Sequence, residues 1–135
     1  MTPRVGDPIR AVKFPPITRE QIQRYAEASG DFNPIHLDDE VAKGAGLPGP
    51  IAHGMLMAGL LAERANRFIE DELKSSEYQL KEFQTRFKAL TLIGDVPSVG
   101  GVIREVTDRT LVIDLHVRNQ RDEIATIGTA RLAKQ

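Results

Sequence analysis

Ile51-Ala52-His53-Gly54-Met55-Leu56-Met57-Ala58-Gly59-Leu60-Leu61-Ala62 decides the architecture of this chain. From Met55 onward these residues are apolar or small on every side, and a helix of that kind is buried on most of its surface. The following turns become amphipathic. Ala65, Phe68, Ile69 and Leu73 are predicted to face inward, and Glu63, Arg64, Arg67, Glu70, Asp71 and Lys74 to face water as a solvated helix face. The pattern describes a long helix that enters a core at its N-terminal end and emerges at the other. Pro48, Gly49 and Pro50 stiffen the loop that leads into it.

Working outward, the period changes on both sides. After Ser75-Ser76 it shifts to strands, predicted near Tyr78–Phe87, Asp95–Val106, Thr110–Val117 and Glu123–Leu132. The cleanest alternation puts Leu111, Ile113, Leu115 and Val117 on one face and Val112, Asp114 and His116 on the other, where His116 is expected to be solvated. Turns are expected near Asp108 and Gln120-Arg121. Gly100-Gly101 reads as a bulge rather than a phosphate loop.

Upstream, Ile9–Phe14 is a first strand that Pro15-Pro16 ends. Thr18-Arg19-Glu20-Gln21 is a capping box, with Ile17 and Ile22 placed as a hydrophobic staple. That helix turns Ile22, Tyr25 and Ala26 inward and stops at Ser29-Gly30. A short helix is expected over Leu37–Lys43, capped by Asp38, then loop from Gly44 to Pro50. The fold class is α+β: one domain over residues 1–135, with a long helix wrapped by antiparallel strands.

Composition narrows the function. The 135 residues are 41% hydrophobic and 27% charged with net charge −1, so no global field draws the chain to nucleic acid or to an anionic membrane. No cysteine is present, which removes disulfides, thiol nucleophiles and thiolate metal sites. No run approaches the roughly 20 apolar residues needed to span a bilayer. The N-terminal residues lack the apolar stretch of a signal peptide, so a cytoplasmic location is expected.

Candidate chemistry concentrates in Asp31-Phe32-Asn33-Pro34-Ile35-His36. A turn at Asn33-Pro34 can bring the Asp31 carboxylate and the His36 imidazole to one spot. Sharing a water, the two can orient it and move its protons, help worth roughly 100- to 10,000-fold in rate. The start of the long helix supplies the complement. Its first N–H groups have no partner within the helix, and the aligned peptide dipoles add partial positive charge. Gly54 has no side chain, so a substrate carbonyl oxygen could approach its N–H and be stabilised there as an enolate develops. Gly54 could equally serve close packing at a buried helix start. Asp31 alone reads as a turn residue and His36 alone as a structural histidine. His53 is read as holding the loop through its ring hydrogen bonds. HExxH and facial-triad spacings are absent, so no metal is expected, and Ser29 lacks a nucleophile-elbow motif.

Tyr25-Ala26, Ser29–His36, Asp38, Ala42, Gly46 and Ile51–Met55 together resemble the MaoC-like (R)-specific enoyl-thioester hydratases and dehydratases of the hotdog fold. The resemblance is detailed over roughly residues 20 to 60, and the later helix and strands fit the hotdog order. It implies that Asp31 and His36 form a catalytic dyad. It also implies that the Gly54 N–H polarises a thioester carbonyl, with Asn33 supporting the turn and His53 placed beside the substrate. The implied reaction is reversible syn hydration of a trans-2-enoyl thioester to the (R)-3-hydroxyacyl thioester, with no cofactor. In it Asp31 would take the proton from water and His36 would help protonate the α-carbon. The substrate would be an acyl-CoA or acyl-carrier-protein thioester, met by a homodimer or by the active chain of a heterodimer. The resemblance departs at Ala62, near which some relatives carry a hydroxyl side chain that supports the site. A hotdog thioesterase, which directs water at the carbonyl, and a non-catalytic thioester-binding subunit are the competing readings.

Overall fold

A computed structural model describes residues 2–135. Strand β1 (Pro8–Lys13) leads to helix α1 (Arg19–Ser29), two short helices α2 (Pro34–Leu37) and α3 (Asp39–Gly44), and the long helix α4 (Gly54–Arg67). Helix α4 runs on into a wider π-helical turn, Phe68–Leu73. Strands β2 (Tyr78–Phe87), β3 (Ser98–Val106), β4 (Thr110–Arg118) and β5 (Ile124–Lys134) follow. They form one antiparallel sheet in the order β1-β3-β4-β5-β2.

The β4 alternation is realised as read. Leu111, Ile113, Leu115 and Val117 are buried and face α4, which packs against β2, β3, β4 and β5. Leu61 and Ala65 on α4 and Phe68 at the start of the π-helical turn are fully buried, Leu61 and Phe68 each contributing roughly 1.5–3 kcal/mol from area removed from water. Close approach of helix to sheet depends on Gly128 in β5, where a Cβ would lie 2.9 Å from Leu61 Cδ1. Thr18 Oγ1 accepts from the Gln21 N–H at 3.1 Å, and Ile17 and Ile22 are buried as the staple requires.

Several expectations are corrected. Strand β1 covers Pro8–Lys13 rather than Ile9–Phe14, and β3 begins at Ser98, leaving Asp95 in the preceding loop. The expected Leu37–Lys43 helix is two elements. Asp38 Oδ1 caps α3 through the Glu40 and Val41 N–H groups, whereas Pro34–Leu37 is a separate turn of helix. Ala65, Phe68, Ile69 and Leu73 are buried as expected, but Met55 and Gly59 near the start of α4 are exposed, so that end is not covered on every side.

Arg64 is buried, not solvated. Its Nε and Nη2 donate to the Arg10 carbonyl at 3.0 and 2.8 Å, and Nη2 also donates to Glu72 Oε2 at 2.7 Å. That carbonyl is free because β1 bulges: Ile9 pairs with Gly101 and Val12 with Val99, so Arg10 and Ala11 stand opposite Gly100 alone. The bulge is therefore in β1, and the Gly100-Gly101 pair faces it. A Cβ on Gly100 would sit 3.1 Å from the Ala11 Cα. His116 is half-buried on the outer sheet face rather than solvated. Burial and the nearby Arg118 charge lower its pKa from the ordinary 6.5. Among the described residues no helix is long and apolar enough to cross a membrane.

Candidate active site

Three local devices bring the site together. The first ends α1. Gly30 adopts the left-handed conformation (φ 78°, ψ 8°) and its N–H returns to the Ala26 carbonyl at 2.8 Å, which redirects the chain at Asp31. The second is a pair of nested Asx turns. Asp31 Oδ1 accepts from the Asn33 N–H at 3.1 Å, and Asn33 Oδ1 accepts from the Ile35 N–H at 3.2 Å. Asn33 is thus the N-cap of α2, with Pro34 at the start of that helix, where its missing N–H costs nothing. One turn of α2 then carries His36 inward to 8% exposure.

The third device is the Ile51-Ala52 strap before α4. The Ile51 N–H donates to the Ile35 carbonyl at 3.2 Å, and the Ile51 carbonyl lies 2.7 Å from His36 Nδ1. A carbonyl only accepts, so Nδ1 carries a proton; in the neutral form of the ring the unprotonated nitrogen is then Nε2, on the side away from Ile51. That nitrogen stands 3.9 Å from Asp31 Oδ2, whose side chain is half exposed. Two acceptors at this spacing cannot bond each other. A water with hydrogen bonds of about 2.8 Å to each would close the triangle at an angle near 90° and donate both its protons.

His53 backs the pair. Its ring stacks on His36 (centroids 3.8 Å, 26°) and tilts against Tyr25 at 4.8 Å. Its Nε2 donates to the Asp31 carbonyl at 3.0 Å, and its Nδ1 is buried without a hydrogen-bond partner. Asp31, His36 and His53 can each present a ligand atom within 4.8 Å of the others. Two of the four ring nitrogens already face backbone carbonyls, His36 Nδ1 that of Ile51 and His53 Nε2 that of Asp31.

Gly54 opens α4 directly after His53, and no side chain caps this helix. Gly54 and Met55 border a cavity of about 300 Å³ with Tyr25, Ser29, Asp31, His53 and Phe87, while the Leu56 N–H donates to the His53 carbonyl at 3.1 Å. The Phe87 ring, at the end of β2, rests against the Gly54 α-carbon, where a Cβ would meet three ring carbons at 2.9–3.1 Å. A larger hollow of about 580 Å³ lies around Arg86 and His116 on the outer sheet face and contains none of these groups.

The structure thus gathers Asp31, His36, His53 and Gly54, and places Asn33 beneath them as a backbone cap. Two participants were not legible. The Ile51 carbonyl carries no side-chain signal, and Phe87 arrives from a strand end far along the chain.

The chain belongs to the MaoC like domain family, whose profile matches residues 1–124. It has the hotdog fold of that family of hydratases and dehydratases. R-hydratase PhaJ1 from Pseudomonas aeruginosa superimposes with a TM-score of 0.81 at 26% identity, over 97% of this chain and 81% of that one. The (R)-hydratase from A. caviae involved in PHA biosynthesis gives a TM-score of 0.80 over 98% and 97% of the two chains; at 22% identity that is a likeness of fold. A mitochondrial 3-hydroxyacyl-[acyl-carrier-protein] dehydratase of Arabidopsis thaliana is 33% identical over 92 residues, 68% of this chain and 51% of the relative. Fatty acid synthase 2 of Mycosarcoma maydis is 35% identical over 114 residues, 79% of this chain and 3% of the relative. The chain therefore spans about half the length of the plant protein and a small part of the fungal one.

Proposed function

We propose that this protein catalyses reversible hydration of a trans-2-enoyl thioester to the (R)-3-hydroxyacyl thioester. The observation that carries the reading is the pair of acceptors, Asp31 Oδ2 and His36 Nε2, 3.9 Å apart beside the uncapped start of α4. A water held by both is polarised as a nucleophile for the β-carbon. As its oxygen bonds to that carbon, the pair draws off one proton and the conjugated electrons move onto the thioester oxygen. The Gly54 N–H and the α4 dipole stabilise the resulting enolate. The enolate then takes the proton back at the α-carbon, and dehydration runs the same steps in reverse.

In its neutral tautomer His36 has no Nε2 proton to give at the outset. The proton delivered to carbon is therefore one the pair has drawn from water, so the two residues work as a unit rather than as a fixed base and a fixed acid.

The substrate is a thioester of CoA or of acyl carrier protein, and the name of the plant relative supports the second carrier. The domain acts as a homodimer in the cytoplasm. Exposed Phe32, Met55 and Phe87 beside the site and the free edge of β2 support a second copy there. The test is incubation of the protein with trans-2-butenoyl-CoA, following the absorbance of the conjugated thioester, free thiol and product configuration. Loss of conjugation to the (R)-alcohol without thiol release is expected. Free CoA as the product would mean a thioesterase, and saturable binding without turnover would mean a binding subunit.

A further inference from the structure

Asp95 is buried to 3% exposure in the loop before β3, far from any expected site residue in sequence. Its carboxylate accepts four hydrogen bonds. Oδ1 takes Gln120 Nε2 at 3.0 Å and Arg121 Nη1 at 2.7 Å; Oδ2 takes Arg121 Nη2 at 3.0 Å and the Leu92 N–H at 2.9 Å. Burial alone would raise this carboxyl. The bonds from Arg121, the Leu92 N–H and Gln120, with the Arg121 charge, outweigh it and hold the pKa below the ordinary 3.8. The group is therefore an anion at neutral pH, a strong and fully engaged acceptor.

The segment it clamps, Thr91–Asp95, touches both arms of the candidate site. On one arm, Leu92 bridges Ile51, and the Thr91 carbonyl accepts from the Ala52 N–H at 2.8 Å. Ile51 is the residue whose carbonyl holds His36 Nδ1, and Ala52 leads into His53 and Gly54. On the other arm, the Ile17 N–H donates to the Asp95 carbonyl at 2.8 Å and the Gly94 N–H donates to the Ile17 carbonyl at 2.7 Å. Ile17 is the staple residue of α1, the helix that ends at Asp31. The β4–β5 hairpin, through Gln120 and Arg121, thus anchors a loop that braces the strap and α1 at once. We infer that Asp95 is a positioning residue for the Asp31–His36 pair, acting through the Leu92–Ile51 bridge to hold the His36 ring in its Nδ1–H tautomer.

This inference rests on the proposed dyad, and its test separates the two. Long-range proton–nitrogen correlation spectra of ¹⁵N-labelled protein report the His36 tautomer without reference to turnover, while kcat and KM for enoyl-thioester hydration report the chemistry. In wild type a single Nδ1–H form is expected. In Asp95→Ala the two tautomers mix, and kcat falls about 10- to 100-fold with KM changed far less, as expected when a reacting group is displaced by a fraction of an ångström to about one ångström. Asp95→Asn keeps a carbonyl oxygen for the Leu92 N–H but turns an NH₂ toward Gln120 Nε2 and Arg121 Nη1, so tautomer mixing short of that in Asp95→Ala is expected. A folded Asp95→Ala protein with unchanged His36 nitrogen shifts overturns the inference, even if its activity falls. If that variant does not fold, Arg121→Gln carries the test. Partial tautomer mixing with a several-fold lower kcat sustains the proposal, and wild-type values of both overturn it. A wild-type protein that hydrates no thioester defeats the functional reading, leaving the spectroscopic result to stand or fall by itself.

Discussion

Asp31→Asn separates the chemistry of the dyad from its architecture. Asp31 Oδ1 accepts from the Asn33 N–H, and an amide oxygen can keep that bond, so the turn and the α2 cap survive. The change falls on the other atom. Oδ2, now 3.9 Å from His36 Nε2, becomes an NH₂ that donates. A small rotation lets it bond Nε2 directly, which occupies the place of the water and removes both acceptors that would orient it. The lost general-base contribution is roughly 100- to 10,000-fold in kcat. This is about 2.7–5.5 kcal/mol of barrier. Stability should barely move, by about 0.5 kcal/mol or less, because the carboxylate is half exposed and its charge well screened. The assay follows conjugated enoyl-thioester absorbance, with urea unfolding as the control. Turnover within about tenfold of wild type in a folded variant would refute the reasoning, since that is less than the smallest contribution expected of such a group.

The other predictions concern packing, access and pH. Arg64→Met keeps much of the buried aliphatic volume but leaves the bulge carbonyl of Arg10 unpaired; about 2–4 kcal/mol of stability should be lost, read as a lower urea midpoint, and a loss below about 1 kcal/mol would contradict the role given to the buried guanidinium. Gly54→Ala should fold, because the half-exposed Phe87 ring can yield to the new methyl, yet kcat/KM should fall about 10- to 100-fold as the carbonyl's approach to the helix start is obstructed. Burial and Arg118 lower the His116 pKa, so the unfolded chain binds that proton more readily than the folded one. Stability should therefore decline as pH falls below about 6.5. His116→Gln should flatten that part of the denaturation-midpoint curve, and parallel curves for the two proteins would count against the assignment.

The exposed pattern of α4 marks where local reading stopped. Arg64 belongs to the charged run from Glu63 to Lys74, and its neighbours in sequence suggest water. A bulge in β1, more than fifty residues earlier, turns a carbonyl toward it, and the π-helical turn lets Glu72 reach the same guanidinium. Neither feature has a signature within the window around Arg64. The β2 strand, by contrast, was legible to the residue, because alternation and flanking turn residues are properties of the segment itself. The sequence period places Asp95 at the start of a strand; its four bonds come from a hairpin turn and a loop that only the folded chain brings together.

Sequence by itself determined the order of elements, the capping of α1 at Thr18 and Gly30 and the core face of β4, and it offered Asp31, His36 and Gly54 as candidates to which the family resemblance adds Asn33 and His53. These follow from side-chain period, cap chemistry and turn chemistry, all of which act over a few residues. Tertiary structure alone decided which His36 nitrogen carries the proton, the 3.9 Å gap that fits a water, the ring stack of His53 and the placing of Phe87 over the helix start. Those depend on backbone carbonyls and side chains from distant segments meeting at distances near 3–4 Å, and no local pattern encodes a separation between atoms that far apart along the chain.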